Sequence, residues 1–358
     1  MKEGKKFKVI ECSGTPYEIG CQWGKAGKEN ILGSLEQCFK LINHVHQVPR
    51  ENAIENAMKY LPVVKDFDSY LIDILKGQAD GAGVSFEETF TLRCAFELFI
   101  HYNQIASLCT SFSATGKATK DGKTILGQNL DWYTGTPIDL IKIHHTNGVK
   151  QLSLFLWGIE VTLSSAGFGV CANGTWAPPQ KYALNIPFGC YLPKVMRQKN
   201  MDDAMEILKD VARGLEYYHL ADAGGNLVGI ESIEDDLEIL HPHRDILVHS
   251  NHYLTERFKK SDMASQIIPD SFQRIERIRK LIDSHYGKIT PELMMEILSD
   301  HENFPNSICR HPGENLPLEY KPLSSETLTS FVMIPEDRIM FIAYGNPCKC
   351  EYIKYQLD

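Results

Sequence analysis

The order of patterns along the chain predicts an α+β layered fold built around antiparallel sheet. Residues 16–103 keep the mixed apolar and polar spacing of helices. At Cys109 the texture turns to short strands, and helices return near residue 270 before a last β stretch. No Gly-rich phosphate loop leads a strand into a helix, which disfavours a parallel nucleotide-binding sheet.

The elements follow in order. Pro16 after Thr15 suits a helix start, and the pattern runs to about His46. Pro49 breaks it, and a second helical stretch covers 50–76. Residues 77–83 read as a loop. Ser85-Phe-Glu-Glu88 has the form of a capping box opening a third helix, with Phe90, Cys94, Phe96 and Phe99 near helical spacing. Strands are expected near 109–115, 124–131, 140–146, 151–157 and 168–172, and Pro178-Pro179 marks a loop. A helix over 202–213 has Asp202 or Asp203 near its cap. Strands near 216–222, 226–232, 237–241 and 246–249 come next. Helices over 270–284 and 291–299 follow, the latter with Pro291 in its first turn. Strands over 327–334, 338–344 and 350–356 end the chain. No repeat or low-complexity linker divides it, so one structural domain is expected.

Composition is that of a globular chain: 358 residues, 43% hydrophobic and 23% charged. The net charge of −9 disfavours nucleic acid and anionic membranes as partners. No apolar run has bilayer-spanning length. Basic residues near the N-terminus are not followed by an apolar stretch, so no signal peptide is read there. Ten scattered cysteines then predict reduced thiols in a cytoplasm. Cys348-Lys-Cys350 lacks the spacing of common zinc or redox motifs and reads as two thiols on alternate faces of a strand end.

Candidate chemistry centres on Cys109. Thr110, Ser111 and Ser113 make its strand rich in hydroxyls, which leave room for a carbonyl and supply hydrogen bonds. Turn chemistry from Gly116 to Lys123, including Asp121-Gly122, suggests a hairpin that returns Asp131 toward Cys109. A carboxylate there can hold an ammonium group or orient a thiol. Asn251, in His249-Ser-Asn-His252 at a strand end, can donate to an oxyanion. His252 can instead serve as base to a Cys109 thiol in a single-chain hydrolase. Asn173 precedes Gly174 and reads first as an Asn-Gly turn. Arg310, among apolar and thiol neighbours, can fork onto a substrate carboxylate or onto Asp131. His301, Cys309 and His311 are ligand types without a fourth partner, so no metal is expected. Trp132, Trp157 and Trp176 near strand ends are candidates for an apolar acyl pocket. Tyr217, Tyr218 and His219 read as strand packing.

Cys109-Thr-Ser-Phe, Gln128-Asn-Leu-Asp131-Trp, Asp222-Ala-Gly-Gly-Asn226, Ser250-Asn251-His252 and Ser307-Ile-Cys-Arg310-His311 occur in this order. Together they resemble the isopenicillin-N / 6-aminopenicillanic acid acyltransferase family of N-terminal nucleophile hydrolases, over nearly the whole chain. The resemblance implies a four-layer αββα sandwich of two antiparallel sheets flanked by helices. It implies a precursor cut at Leu108–Cys109, giving a mostly helical segment 1–108 and a catalytic segment 109–358. Cys109 is the implied nucleophile in both self-cleavage and turnover, and its freed α-amine the implied base. Asp131 and Arg310 match the family's acid and arginine; Asn251 and Asn173 match oxyanion positions of the related bile-salt hydrolases. Thr110, Ser111, Trp132 and Trp176 are the expected substrate contacts. The expected partner is a small acyl amide or thioester, acyl-CoA included, with no cofactor, and the chain can form a homo-oligomer. Two positions depart from the pattern. Leu108 stands where the fungal acyltransferase has glycine, and Cys309 stands where a small hydroxyl is expected. A non-catalytic binding protein on the same fold is the remaining alternative.

Overall fold

A computed structural model describes residues 2–101, 109–178, 184–233, 235–313 and 323–358. Leu108, Pro179 and residues 102 and 103 at the end of the expected helical region lie outside the described residues. The chain opens with a strand, β1 (Val9–Ser13), then helices α1 (Pro16–Ala26), α2 (Lys28–His46), α3 (Arg50–Met58), α4 (Leu61–Phe67), α5 (Ser69–Ala82), α6 (Phe86–Arg93) and α7 (Ala95–His101). Both expected starts are capped. Thr15 with Glu18 and Ser85 with Glu88 each form a reciprocal capping box.

Strands β2 (Thr110–Ala114), β3 (Ile125–Tyr133), β4 (Asp139–His144), β5 (Lys150–Leu156), β6 (Ile159–Ser164) and β7 (Phe168–Gly174) follow. Helices α8 (Phe188–Met196) and α9 (Met201–Val211) precede β8 (Glu216–Asp222), β9 (Leu227–Ile233), β10 (Asp236–Leu240) and β11 (Ile246–His249). The chain ends with α10 (Ala264–Ile267), α11 (Asp270–Ser284), α12 (Pro291–Ile297), β12 (Ser325–Ile334), β13 (Ile339–Tyr344) and β14 (Ile353–Gln356).

Two sheets result, ordered β1-β4-β5-β6-β7-β8-β9-β10 and β11-β2-β3-β12-β13-β14 among the described residues. Strands β2 and β3 of one sheet meet β7 of the other. Helices α1 and α8 pack on the first sheet, and α11 and α12 on the second. This is the αββα sandwich. One edge departs from the antiparallel expectation: β1 runs parallel to β4, Ile10 opposite Ile141.

Four elements were not legible in advance. β1 is a five-residue edge strand that exists by pairing with distant β4. β6 pairs back on β5 through Trp157 (φ 45°) and Gly158 (φ 80°), a tight turn with both residues left-handed. A Cβ on Gly158 would also lie 2.8 Å from the Arg93 carbonyl. α8 carries Pro193 in its interior, which masks its helical pattern. α10 is four residues long, too short to show a period.

Glycines set the closest helix contact. A Cβ at Gly20 would lie 1.9 Å from the Ile74 carbonyl oxygen, and one at Gly77 would lie 2.0 Å from the Tyr17 oxygen. α1 and α5 therefore approach backbone to backbone. Between the sheets, Gln128 bridges strands as a backbone would. Its Nε2 donates to the Ala172 carbonyl at 2.5 Å, and its Oε1 accepts from the Ala172 N–H at 3.1 Å. That clamp fixes β7 against β3 beside Cys109.

Candidate active site

Cys109 is buried and immediately precedes β2, whose partners are β3 and β11. The expected hairpin is present, with Thr110 opposite Asn129, Ser113 opposite Leu126, and Gly122 at φ 80° in the turn. Strand alternation sorts the side chains. Cys109 and Ser111 face the cleft between the sheets: Cys109 lines a pocket with Asn173, and the Ser111 hydroxyl donates to Asn173 Oδ1 at 2.7 Å. Thr110 faces the outer helices, where its Oγ1 accepts from Arg274 at 2.8 Å.

Asn173 is not in a turn. It lies within β7 opposite Tyr217, and Gly174 continues the strand opposite Glu216. Pairing with β8 on one side, and the Gln128 bonds to the preceding residue Ala172, override the local Asn-Gly preference. Its Nδ2 donates to the Cys109 carbonyl at 3.2 Å. Asn251 comes from the loop after β11. Buried Glu231 holds that loop, accepting from the Leu254 N–H at 2.5 Å, the Thr255 hydroxyl at 2.6 Å and His249 Nε2 at 2.9 Å. Asn251 Nδ2 then donates to the Gly174 carbonyl at 2.9 Å. The two carboxamides thus bracket the backbone on either side of Cys109 and Gly174.

Arg274 ties these parts together. From the buried face of α11 it donates to the Cys109 carbonyl (2.7 Å), to Thr110, to Asn251 Oδ1 (2.8 Å) and to Asp270 Oδ2 (2.8 Å). The sequence reading did not single it out, although a signal was present. Ser271, Ile275, Ile278 and Ile282 define the buried stripe of α11, and Arg274 falls on it.

Asp131 projects to this same outer side. Thr327 donates to its Oδ1 at 2.6 Å, and Arg310 Nε stands 3.7 Å from its Oδ2. Both Asp131 Oδ2 and Arg310 Nε are buried without a hydrogen-bond partner. Arg310 also pairs with Asp270, which joins two arginines and two acids in one network. Burial outweighs the pull of Arg310 and Arg274 and raises the Asp131 carboxyl to about 7. Asp131 sits opposite Thr327 in the ladder, and the Cys109 sulfur lies 3.9 Å from the Asp131 carbonyl, not from its carboxylate. The carboxylate therefore faces Thr327 and Arg310 rather than the Cys109 sulfur.

His252 is held elsewhere. Its Nδ1 lies 2.8 Å from the Ser271 hydroxyl and its ring stacks on Phe272. Burial, with His249 and Arg274 nearby, lowers it to about 3. Trp132 packs edge-on against Trp157, and both Trp132 and Trp176 belong to the main core. The pocket beside Cys109 is lined instead by Phe96, Leu130, Ile159, Ala172, Phe188 and Glu216, so those two tryptophans do not form its wall. Its free volume is about 10 Å³, room for roughly one water. At one side Glu216 accepts from Tyr191 at 2.5 Å and from Tyr218, and burial raises its carboxyl to about 7. Glu97 is raised as well, by burial and by Glu216.

The site thus gathers a thiol, two carboxamides and a network of two arginines and two acids around the start of β2. Residues 118–349 match the family described as acyl-coenzyme A:6-aminopenicillanic acid acyl-transferase. The chain belongs to this family. The matched span includes Asp131, Asn173, Asn251, Arg274 and Arg310, while Cys109 lies just upstream of it. The 40 kDa form of acyl-coenzyme A:6-aminopenicillanic-acid-acyltransferase from Emericella nidulans is 25% identical over 327 residues, 84% of each chain. A variant of conjugated bile acid hydrolase from Clostridium perfringens superposes with a TM-score of 0.44 at 15% identity, covering 70% of this chain and 97% of its own. Penicillin V acylase from Agrobacterium tumefaciens gives 0.44 at 14% identity, covering 66% and 83%. Among the described residues no helix is long and apolar enough to cross a membrane.

Proposed function

We propose that Cys109 is the nucleophile of an N-terminal-nucleophile amidohydrolase or acyltransferase, matured by cleavage of its own Leu108–Cys109 bond. One observation carries the reading: a thiol at a strand end opens into an apolar pocket, with two fixed carboxamides beside it. In maturation the sulfur attacks the Leu108 carbonyl. The C–N bond breaks as the C–S bond forms, and the departing amine takes a proton. Water then hydrolyses the thioester, leaving a Leu108 carboxylate and a Cys109 with a free thiol and a free α-amine. Segments 1–108 and 109–358 stay together, because β1 pairs with β4 and α1 packs on that sheet.

In turnover the α-amine, with a pKa of about 8, is partly neutral at pH 7 and takes the thiol proton. The thiolate attacks the carbonyl of a small acyl amide or thioester. Asn173 and Asn251 each retain a second amide hydrogen for the oxyanion, an effect of roughly 3 kcal/mol per donor. The acyl-cysteine passes to water or to an amine. Asp131, on the backbone side of residue 109, balances the ammonium form of the α-amine. The family description supports acyl-CoA as a thioester donor, and the narrow apolar pocket supports a small acyl group, admitted as Phe96 and Phe188 part. Ten cysteines without a disulfide among them support a reducing, cytoplasmic setting.

Intact mass with N-terminal sequencing of fresh protein tests this. Wild type is expected as two fragments, the second beginning at Cys109, and Cys109→Ala as one inactive chain. A cleaved or active Cys109→Ala protein overturns the proposal.

A further inference from the structure

On either side of Arg310 in the chain and in the turn after β13, four side chains of metal-ligand type converge. His301, Cys309 and His311 come from the loop between α12 and β12, and Cys348 from the turn after β13. Their ligand atoms all lie within 4.8 Å of one another. His311 Nε2 is 3.1 Å from His301 Nε2, 3.6 Å from Cys309 Sγ and 3.4 Å from Cys348 Sγ. Hydrogen bonding does not account for this. A ring nitrogen has one in-plane lone pair or one N–H, so it serves one such partner, not three. Tetrahedral coordination does account for it. With Zn–S about 2.3 Å and Zn–N about 2.0–2.1 Å, the N···N edge is about 3.3 Å and the N···S edge about 3.6 Å. The three separations agree with those edges within a few tenths of an ångström.

We propose that His301, Cys309, His311 and Cys348 form a closed Cys2His2 site for a divalent transition metal of the zinc class. The fourth ligand, absent from the local sequence, is supplied by the fold. Cys348 therefore has a role apart from its near neighbour Cys350, and it lies in a turn rather than at the expected strand end. Binding displaces one proton from each thiol to solvent, and both sulfurs coordinate as thiolates. Exposed His301 gives the ion its path of entry. Four protein ligands leave no open position for substrate, so the site is structural. Its effect falls on Arg310, which is held between ligands 309 and 311. The Arg310 carbonyl accepts from Asn346 Nδ2 at 2.7 Å, in the same turn that carries Cys348. The metal thus pins the loop bearing Arg310 to the β13–β14 connection. It also accounts for a cysteine standing where the family resemblance led one to expect a small hydroxyl.

The test is metal content of full-length protein, reduced, loaded with Zn2+ and then dialysed free of loose ions. Wild type is expected to retain about one equivalent, and His301→Ala and Cys348→Ser to lose most of it. Cobalt-loaded wild type is expected to show thiolate-to-metal charge-transfer absorption that Cys348→Ser weakens. His301 is exposed, so His301→Ala probes the site without threatening the core. Failure of reduced wild type to retain metal overturns the proposal. So does full retention in both variants, or isolation of the protein with a Cys309–Cys348 disulfide.

Discussion

Asp131→Asn, made in a Cys109→Ala background to keep the chain whole, isolates the charge state of the buried acid. Burial raises its folded pKa from the ordinary carboxylate range to about 7. A raised acid favours the folded state where it is protonated. Its contribution to stability is full below about pH 4 and is lost as pH rises through about 7. At pH 8 both folded and unfolded states have it ionised, and the contribution is near zero. At pH 5 the folded state holds the proton and the unfolded state does not, which is worth about 3 kcal/mol. Asparagine cannot bind that proton. The stability difference between parent and Asp131→Asn should therefore shift by about 2–3 kcal/mol toward the parent between pH 8 and pH 5. Glu216, which lies outside the network of Asp131, Asp270, Arg274 and Arg310, titrates in both proteins and cancels.

Urea unfolding at the two pH values measures the shift directly, through midpoints at matched slopes. A difference that does not change with pH refutes the reasoning. It would mean that Arg310, 3.7 Å away, and Arg274 keep Asp131 ionised throughout, with Coulomb attraction stronger than the desolvation of a fully buried carboxyl.

Two further outcomes follow from the clamps. Arg274→Lys keeps the charge but not the fork that reaches Cys109, Thr110, Asn251 and Asp270 at once, so kcat should fall by roughly 10²-fold with KM little changed. Steady-state kinetics decide it, and a Lys variant with full kcat removes the positioning role. Gly77→Ala forces a methyl into the Tyr17 carbonyl and should cost about 3 kcal/mol, read as a drop in thermal midpoint; an unchanged midpoint would show that α1 and α5 part freely.

Much of the architecture was legible because it is written locally. Capping boxes, the Asp-Gly turn and alternating strands located most helices and the β2–β3 hairpin. The rest depended on distant partners. β1 needs β4 to exist, and Asn173 looks like a turn residue until β8 and Gln128 claim its strand. Cys109, Thr110 and Ser111 are candidates from the composition of one strand, and the order of the short motifs adds Asp131, Asn251 and Arg310 as candidates. Arg274 was missed because an arginine in an amphipathic helix reads as surface, and its burial is decided by which stripe faces the sheet. Trp132 and Trp176 lie in the main core, since large aromatics near strand ends fill cores more often than pockets.

The two faces of β2 divide the labour of the site. In the proposed mechanism the thiol and the two carboxamides act in the apolar cleft, where a developing oxyanion gains most from fixed dipoles. The ionisable side chains of Arg274, Asp270, Arg310 and Asp131 sit behind the strand, away from the cleft that an apolar acyl chain enters. They act on the cleft through backbone: Arg274 grips the Cys109 carbonyl, and its other arm fixes the Asn251 carboxamide. Gln128 does the same for β7 and thereby for Asn173. Displacing either clamp moves a carboxamide relative to the sulfur without touching the sulfur itself. Residues that never meet substrate are thus expected to change kcat before they change binding.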